Sequence, residues 1–318
     1  MNSKTPLNVS ANTTLSFRKR AKKDLKRYRS VYIMVIPVLL YYLVFCYKPM
    51  YGALIAFQDY TPGVGMLESD WVGFKHFADF ITDINFFRLM KNTVTLSVLS
   101  LIFGFPAPVV FALLVNELRQ KKFKRVVQTV SYMPHFISLV VICGLIKAFV
   151  SRTGFVTSAI CKFTGAAPSD LLSNKAYYYP IYILSSIWQG MGWDAIIYTA
   201  ALAAVDASLY EAAVIDGAGK WKQLINVTLP SIIPTIVIMF IMRVGYLLNV
   251  GYEKTLLLYN PLIYERADII STYVYRMAFE GQQWSYTTAI GLFNSVINFI
   301  LVITVNRVCD RVSGTSLW

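Results

Sequence analysis

Long apolar runs alternate with short polar stretches along nearly the whole chain. Each run approaches the ~20 helical residues that cross a bilayer core. The runs are continuous rather than alternating, which argues against a β-barrel. They predict an all-α, polytopic membrane protein with six transmembrane helices, at about 31–47, 92–116, 126–150, 179–204, 232–250 and 284–306. Together, residues 31–306 read as one membrane domain. Lys48-Pro49 is expected to end or kink the first span. Pro106 and Pro108 lie inside the second and Pro134 near the start of the third, where neighbouring helices can re-satisfy freed carbonyls. Residues 58–88, 151–178 and 251–283 form the longer polar connections.

One polar connection has its own pattern. Residues 206–228 hold Glu211-Ala212-Ala213, a glycine-broken Asp216-Gly217-Ala218-Gly219, and a second amphipathic piece with Trp221, Leu224, Ile225 and Val227. Helix, turn, helix is the expected shape, with Asp206 and Ser208 as candidate N-caps. Such a piece suits either a docking element or an amphipathic loop on the lipid surface.

Glu211, Ala212, Ala213, Asp216, Gly217, Ala218, Leu229 and Pro230 closely resemble the "EAA" loop of permease subunits in bacterial ABC importers. WVGF at 71–74, KNTV at 91–94, PAPVVFALLVNELR at 106–119, QTVSYMPHFIS at 128–138 and IWQGMGWDAIIYTAAL at 187–202 resemble the branch for complex sugars and oligosaccharides. The resemblance covers residues 30 to 310. It implies a type I importer permease bundle and makes 206–228 the coupling loop. Glu211, Ala212, Ala213, Asp216, Gly217, Ala218 and Lys220 would then contact an ATPase subunit. It also implies a second permease, usually a different chain, two ATPase subunits that bind ATP and Mg, and an extracellular solute-binding protein. No cofactor is expected on this chain, and no GxxxxGK[ST] phosphate loop occurs in it.

Composition agrees with the membrane reading: 56% of the 318 residues are hydrophobic and 15% charged. The net charge of +13 raises the question of nucleic acid, but its distribution follows topology instead. Nine Lys/Arg lie in the 1–30 tail and five in 117–125, against ten spread over the longer segments 48–91, 151–178 and 251–283. By the positive-inside rule both termini, the 1–30 tail and the 307–318 tail, are expected to be cytoplasmic, and the resemblance implies the cell membrane of a bacterium. The basic tail would face anionic lipid. Cys46, Cys143, Cys161 and Cys309 show no metal-type or disulfide spacing, and Cys46 and Cys143 are expected to pack within apolar runs. His76 and His135 build no metal or hydrolase set. The chain is expected not to be an enzyme.

Polar groups inside spans are costly and face a cavity or a partner. Asp194 is the sharpest, within Trp188-Gln189-Gly190-Met191-Gly192-Trp193-Asp194. Trp188, Gln189, Trp193 and Asp194 would suit a sugar path, by stacking on rings and bonding hydroxyls; an interfacial tryptophan belt with a helix contact is the alternative. Tyr246, with Tyr252 and Glu253, stands near the outer end of the fifth span, where it would meet a delivered sugar. Arg243, Asn249, Asn294 and Asn298 form a second set, with Asn294 and Asn298 on one face of the last span. They line a path or bond across the bundle. The outer connections offer surface for a delivery protein. A secondary, ion-coupled transporter is the rival function, with Asp194 as its carboxylate.

Overall fold

The computed structural model describes residues 26–249 and 251–318. Most of the basic tail, residues 1–25, therefore lies outside the described residues. The chain divides into two compact units at Leu54. In the first, helix α1 (Arg29–Tyr41) runs on through a wide π turn, Tyr42–Tyr47, and a short segment Lys48–Met50. Lys48-Pro49 thus does not end the helix; helical winding continues through it, with the wide π turn immediately before. Cys46 is exposed, contrary to the packing role expected of it, whereas Cys143 is buried and all four cysteines are free.

The second unit is built from helices α2 (Lys75–Thr82), α3 (Phe86–Leu99), α4 (Pro106–Asn116), α5 (Lys121–Tyr132), α6 (Leu139–Val150), α7 (Phe155–Thr164), α8 (Tyr178–Ala203), α9 (Ala207–Ile215), α10 (Lys220–Gln223), α11 (Leu229–Gly245), α12 (Tyr252–Leu258), α13 (Ile270–Phe279) and α14 (Trp284–Ser313). A two-residue antiparallel ladder, Gln58–Asp59 with Asp70–Trp71, is the sheet among the described residues. Among the described residues, five helical stretches are long and apolar enough to cross a membrane, the one that starts at Arg29 in the first unit included. A sixth comes from α8 and α9, bent by 67° between them.

The third expected span is not one helix. α5 ends at Tyr132, a 3-10 turn covers Met133–Phe136, and α6 restarts at Leu139. Two local signals cause the break. Pro134 cannot donate to the preceding turn, and the Ser138 hydroxyl accepts from the Val141 N–H as an N-cap. α5, with five of its first five positions basic or aromatic (Lys121, Lys122, Phe123, Lys124, Arg125), is amphipathic rather than apolar.

Three cores hold the unit together. Leu96, Ile142, Tyr178 and Ile269 centre one, Ala112, Ala195 and Ile232 the second, and Phe80, Leu89 and Ile290 the third. α8 passes so close to α5 that a Cβ built on Gly192 would stand 2.1 Å from the Ser131 carbonyl oxygen, so this position requires glycine. A polar knot ties α3 to α13. Asp268, fully buried, accepts from Arg276 at 2.9 Å and Arg88 at 3.4 Å. The Asn92 amide reaches the Asp268 carbonyl at 2.9 Å, and the Ile270 N–H reaches Thr93 Oγ1 at 2.9 Å.

Candidate functional site: a helical docking loop and an intramembrane cavity

The loop after α8 is shaped by its own hydrogen bonds. Asp206 caps α9 by accepting from the Ser208 N–H at 2.9 Å, as expected from the sequence. At the other end Gly217 adopts φ +73°. Its N–H bonds the Val214 carbonyl at 3.0 Å, and the Ala218 N–H bonds the Ala213 carbonyl at 2.8 Å. That pair of bonds is the Schellman arrangement, which satisfies the carbonyls a helix end leaves open and wants a residue without Cβ at the left-handed position. The spacing of Ala213, Gly217 and Ala218 is therefore a helix stop. α10 then returns, fixed by Gln223 donating to the Ala218 carbonyl at 2.8 Å. A hydroxyl pair, Tyr210 with Thr228 at 3.0 Å, closes the base of the loop.

Glu211, Ala212, Asp216, Gly217 and Lys220 are exposed, and Ala213 and Ala218 half-buried. Lys220 lies 3.5 Å from Glu117 in an exposed pair, worth little in stability. The loop also projects apolar side chains that the sequence reading did not place in the site: Val214, Ile215 and Trp221, with Ile215 85% and Trp221 76% exposed. Their signal was their place beside a helix stop on a charged surface, where an exposed apolar cluster marks contact with another molecule.

The second feature lies within the bundle. A cavity of about 190 Å³ opens between α3, α8 and the end of α11, with Ser100, Tyr182, Ser186, Asp194, Arg243 and Asn249 on its wall. Tyr246 also lines it. α11 stops at Gly245, and the non-helical backbone that follows is satisfied by neighbours. Ser97 donates to the Leu247 carbonyl at 2.6 Å, Asn298 accepts from the Leu248 N–H at 3.2 Å, and Asn294 donates to the Asn249 side chain at 2.9 Å. Irregular backbone at membrane depth persists where protein buries it or a cavity borders it. Asn294 and Asn298, both buried, thus support the wall from behind it. Ser100 Oγ, Asn294 Oδ1 and Asn298 Nδ2 are buried without a hydrogen-bond partner.

The structure brings Asp194, Tyr246 and Asn249 together at the cavity, with Asn294 and Asn298 behind. Trp193 stacks flat on His135 at 4.5 Å and meets Phe136 edge-on at 5.4 Å, so it packs on the α5–α6 break. Trp188, half exposed, and Gln189 are not on the cavity wall. The wall residues of α8 are Tyr182, Ile183, Ser186, Ile187, Met191 and Asp194, a stripe at helical spacing. Trp188 and Gln189 are adjacent to this stripe in sequence but fall off it in the round. Arg243 and the serines Ser97, Ser100 and Ser186 belong to the wall as well.

Helices crossing a membrane around a polar cavity, with a bent helical loop projecting at one end, define a multi-pass membrane permease. The model of the family described as "binding-protein-dependent transport system inner membrane component" matches residues 93–314, and the chain belongs to that family. It is 43% identical to Protein LplB of Bacillus subtilis over 92% of both chains. It is 42% identical to the polygalacturonan/rhamnogalacturonan transport system permease protein YteP of the same organism, again over 92% of each. The fold matches a chain of a bacterial ABC transporter involved in the import of the acidic polysaccharide alginate, with TM-score 0.84 and 41% identity, covering 92% of this chain and 99% of that one. The sequence resemblance, the all-α class and the role as a sugar ABC permease all agree with these relatives.

Proposed function

We propose that this chain is one of two permease subunits in an ATP-driven importer, and that an oligosaccharide crosses the bilayer along the cavity beside Asp194, Arg243, Tyr246 and Asn249. The relatives named for polygalacturonan and alginate transport support polysaccharide fragments as cargo. A structure of the alginate transporter in complex with an alginate pentasaccharide-bound periplasmic protein supports delivery by a binding protein. In this reading the chain itself catalyses nothing: two partner ATPases bind ATP and Mg, and both termini of this chain face them from the cytoplasm. The α9–α10 loop docks into an ATPase through Glu211 and the apolar trio Val214, Ile215 and Trp221. The observation that carries this role is the 67° bend that turns α9 away from α8 while its own caps keep it helical. Closure of the ATPases on nucleotide would swing the loop and rock the helices packed on it.

The experiment is to tag the chain, extract it in mild detergent and identify what co-purifies by mass spectrometry. An ATPase and a second polytopic subunit are expected. In the reconstituted complex Glu211→Ala is expected to abolish ATP-driven sugar uptake. A chain that purifies alone, and moves sugar into liposomes without ATP, refutes the reading.

A further inference from the structure

The start of α5 sets a group of cations beside an exposed apolar surface. Phe123, Val126 and Val130 on α5, and Met133 just beyond it, are each more than half exposed. Successive helical positions turn by about 100°, so these four share one stripe about 80° wide. Lys121, Lys122 and Arg125 are exposed as well and lie along one edge of that stripe, at its beginning. Among the described residues no carboxylate stands within 4 Å of Arg119, Lys121, Lys122, Lys124 or Arg125. Glu117, the acidic group nearest in sequence, faces Lys220 of α10 at 3.5 Å instead. That pair places the turn between α4 and α5 beside the 206–228 loop. At the other end of α5, Ser131 meets α8 at Gly192, well inside the span.

Phe123 to Met133 covers about 15 Å at the helical rise, half of the ~30 Å hydrocarbon core. The stripe thus has the length of one leaflet, with its cations at the end where headgroups lie. Topology asks only for positive charge in this connection. It does not ask that the charge run along the edge of an exposed apolar stripe. That arrangement matches a phospholipid of negative net charge, with its head at the cations and an acyl chain along the stripe. We propose that α5 holds an anionic phospholipid from the leaflet on the side of the 206–228 loop. Lys121, Lys122 and Arg125 receive its phosphate, the arginine through its planar fork and the lysines as point charges. Phe123, Val126, Val130 and Met133 receive its acyl chain. The Glu117–Lys220 pair makes the lipid head a neighbour of α10.

The test is photocrosslinking in nanodiscs that hold the chain with whatever subunits co-purify with it. Val126 is replaced by the photoreactive p-benzoylphenylalanine. The discs contain phosphatidylglycerol and phosphatidylcholine with the same acyl chains in equal amounts, and adducts are identified by mass spectrometry. The expected product is a lipid adduct in which phosphatidylglycerol exceeds phosphatidylcholine about fivefold or more. Raising the salt from about 0.1 M to about 1 M shortens the screening length from ~10 Å to ~3 Å and removes most of that preference. Lys121→Gln, Lys122→Gln and Arg125→Gln together do the same, whereas Lys121→Arg with Lys122→Arg keeps it. The proposal is overturned if the two lipids are captured equally, or if the preference survives either the salt or the three glutamines. It is also overturned if Val126 crosslinks to an ATPase or a second permease in place of lipid, which would make this face a protein interface. The salt series keeps the parent charges, so it decides the matter without relying on the glutamine chain to assemble.

Discussion

Gly217 tests whether the docking loop works as a pre-shaped element. Its φ of +73° lies in the left-handed region, and a Cβ built there meets nothing within 4 Å. Alanine at this position therefore meets no clash, and its whole cost is backbone. That cost is about 1–2 kcal/mol for a residue with a Cβ. If an ATPase binds only the loop with its Schellman end intact, affinity should fall by a factor of about 5–30. Asparagine tolerates the left-handed region, so Gly217→Asn should restore most of the loss. Gly219 is the internal control: its φ is −68° and its Cβ position is open, so Gly219→Ala should bind like the parent. The assay is a titration of the detergent-extracted chain with the ATPase that co-purifies with it. Parent-like binding by Gly217→Ala would refute the argument. So would Gly217→Asn binding worse than Gly217→Ala, or Gly219→Ala being as harmful.

Other expectations concern stability. Gly192→Ala forces a methyl against the Ser131 carbonyl and should cost about 1–3 kcal/mol, read as a lowered Tm in detergent, whereas Gly190→Ala, whose nearest neighbour is Asp194 Oδ2 at 3.6 Å, should be mild. Asp268→Asn leaves Arg276 and Arg88 facing an uncharged group in the polar knot and should cost about 3–5 kcal/mol by the same measurement. In the connection before α3, burial pushes the Asp83 carboxyl up, but hydrogen bonds from the Asn85 N–H, Tyr273 and Tyr286 outweigh it and hold the group below its ordinary 3.8. A depressed carboxylate stabilises the fold above the unfolded-state pKa and loses that contribution as pH falls through the folded one. Tm should therefore drop below about pH 4, and Asp83→Asn should lack that part of the acid dependence.

The membrane class, the apolar segments and the helix–turn–helix shape of residues 206–228 were legible because each rests on local information: run length, caps and a glycine stop. Asp206 shows this well, since an N-cap needs only its own two following residues. The break at Met133–Phe136 was half legible. Pro134 stood out, but the restart at Ser138 sits inside an apolar run and reads as continuation. The cavity was legible in part. Asp194, Tyr246 and Asn249 are conspicuous polar groups in apolar surroundings. Trp188 and Gln189 drew attention by standing next to Asp194 in sequence, yet a helix turns about 100° per residue, so neighbours in sequence point apart. Ser97 and Ser100 were silent because hydroxyls are common in spans, and only the fold brings α3 beside the end of α11. Lys254 reaches Ser186 on the wall across 68 residues, a contact that no local pattern encodes.

The wide π turn at Leu224–Thr228 joins the 206–228 loop to everything beyond it. Such a turn holds about one residue more than an α turn, and α11 continues from it without a break. Removing one residue there would restore ordinary winding and leave the face that α11 turns to the cavity nearly unchanged. Removing one from the α-wound turn that follows would instead rotate the rest of α11 by about 100° and carry Arg243 off the cavity wall, with the apolar composition of the span intact. The π turn thus works as slack in the chain: a residue can be lost within 224–228 without changing what the cavity presents, and not beyond it.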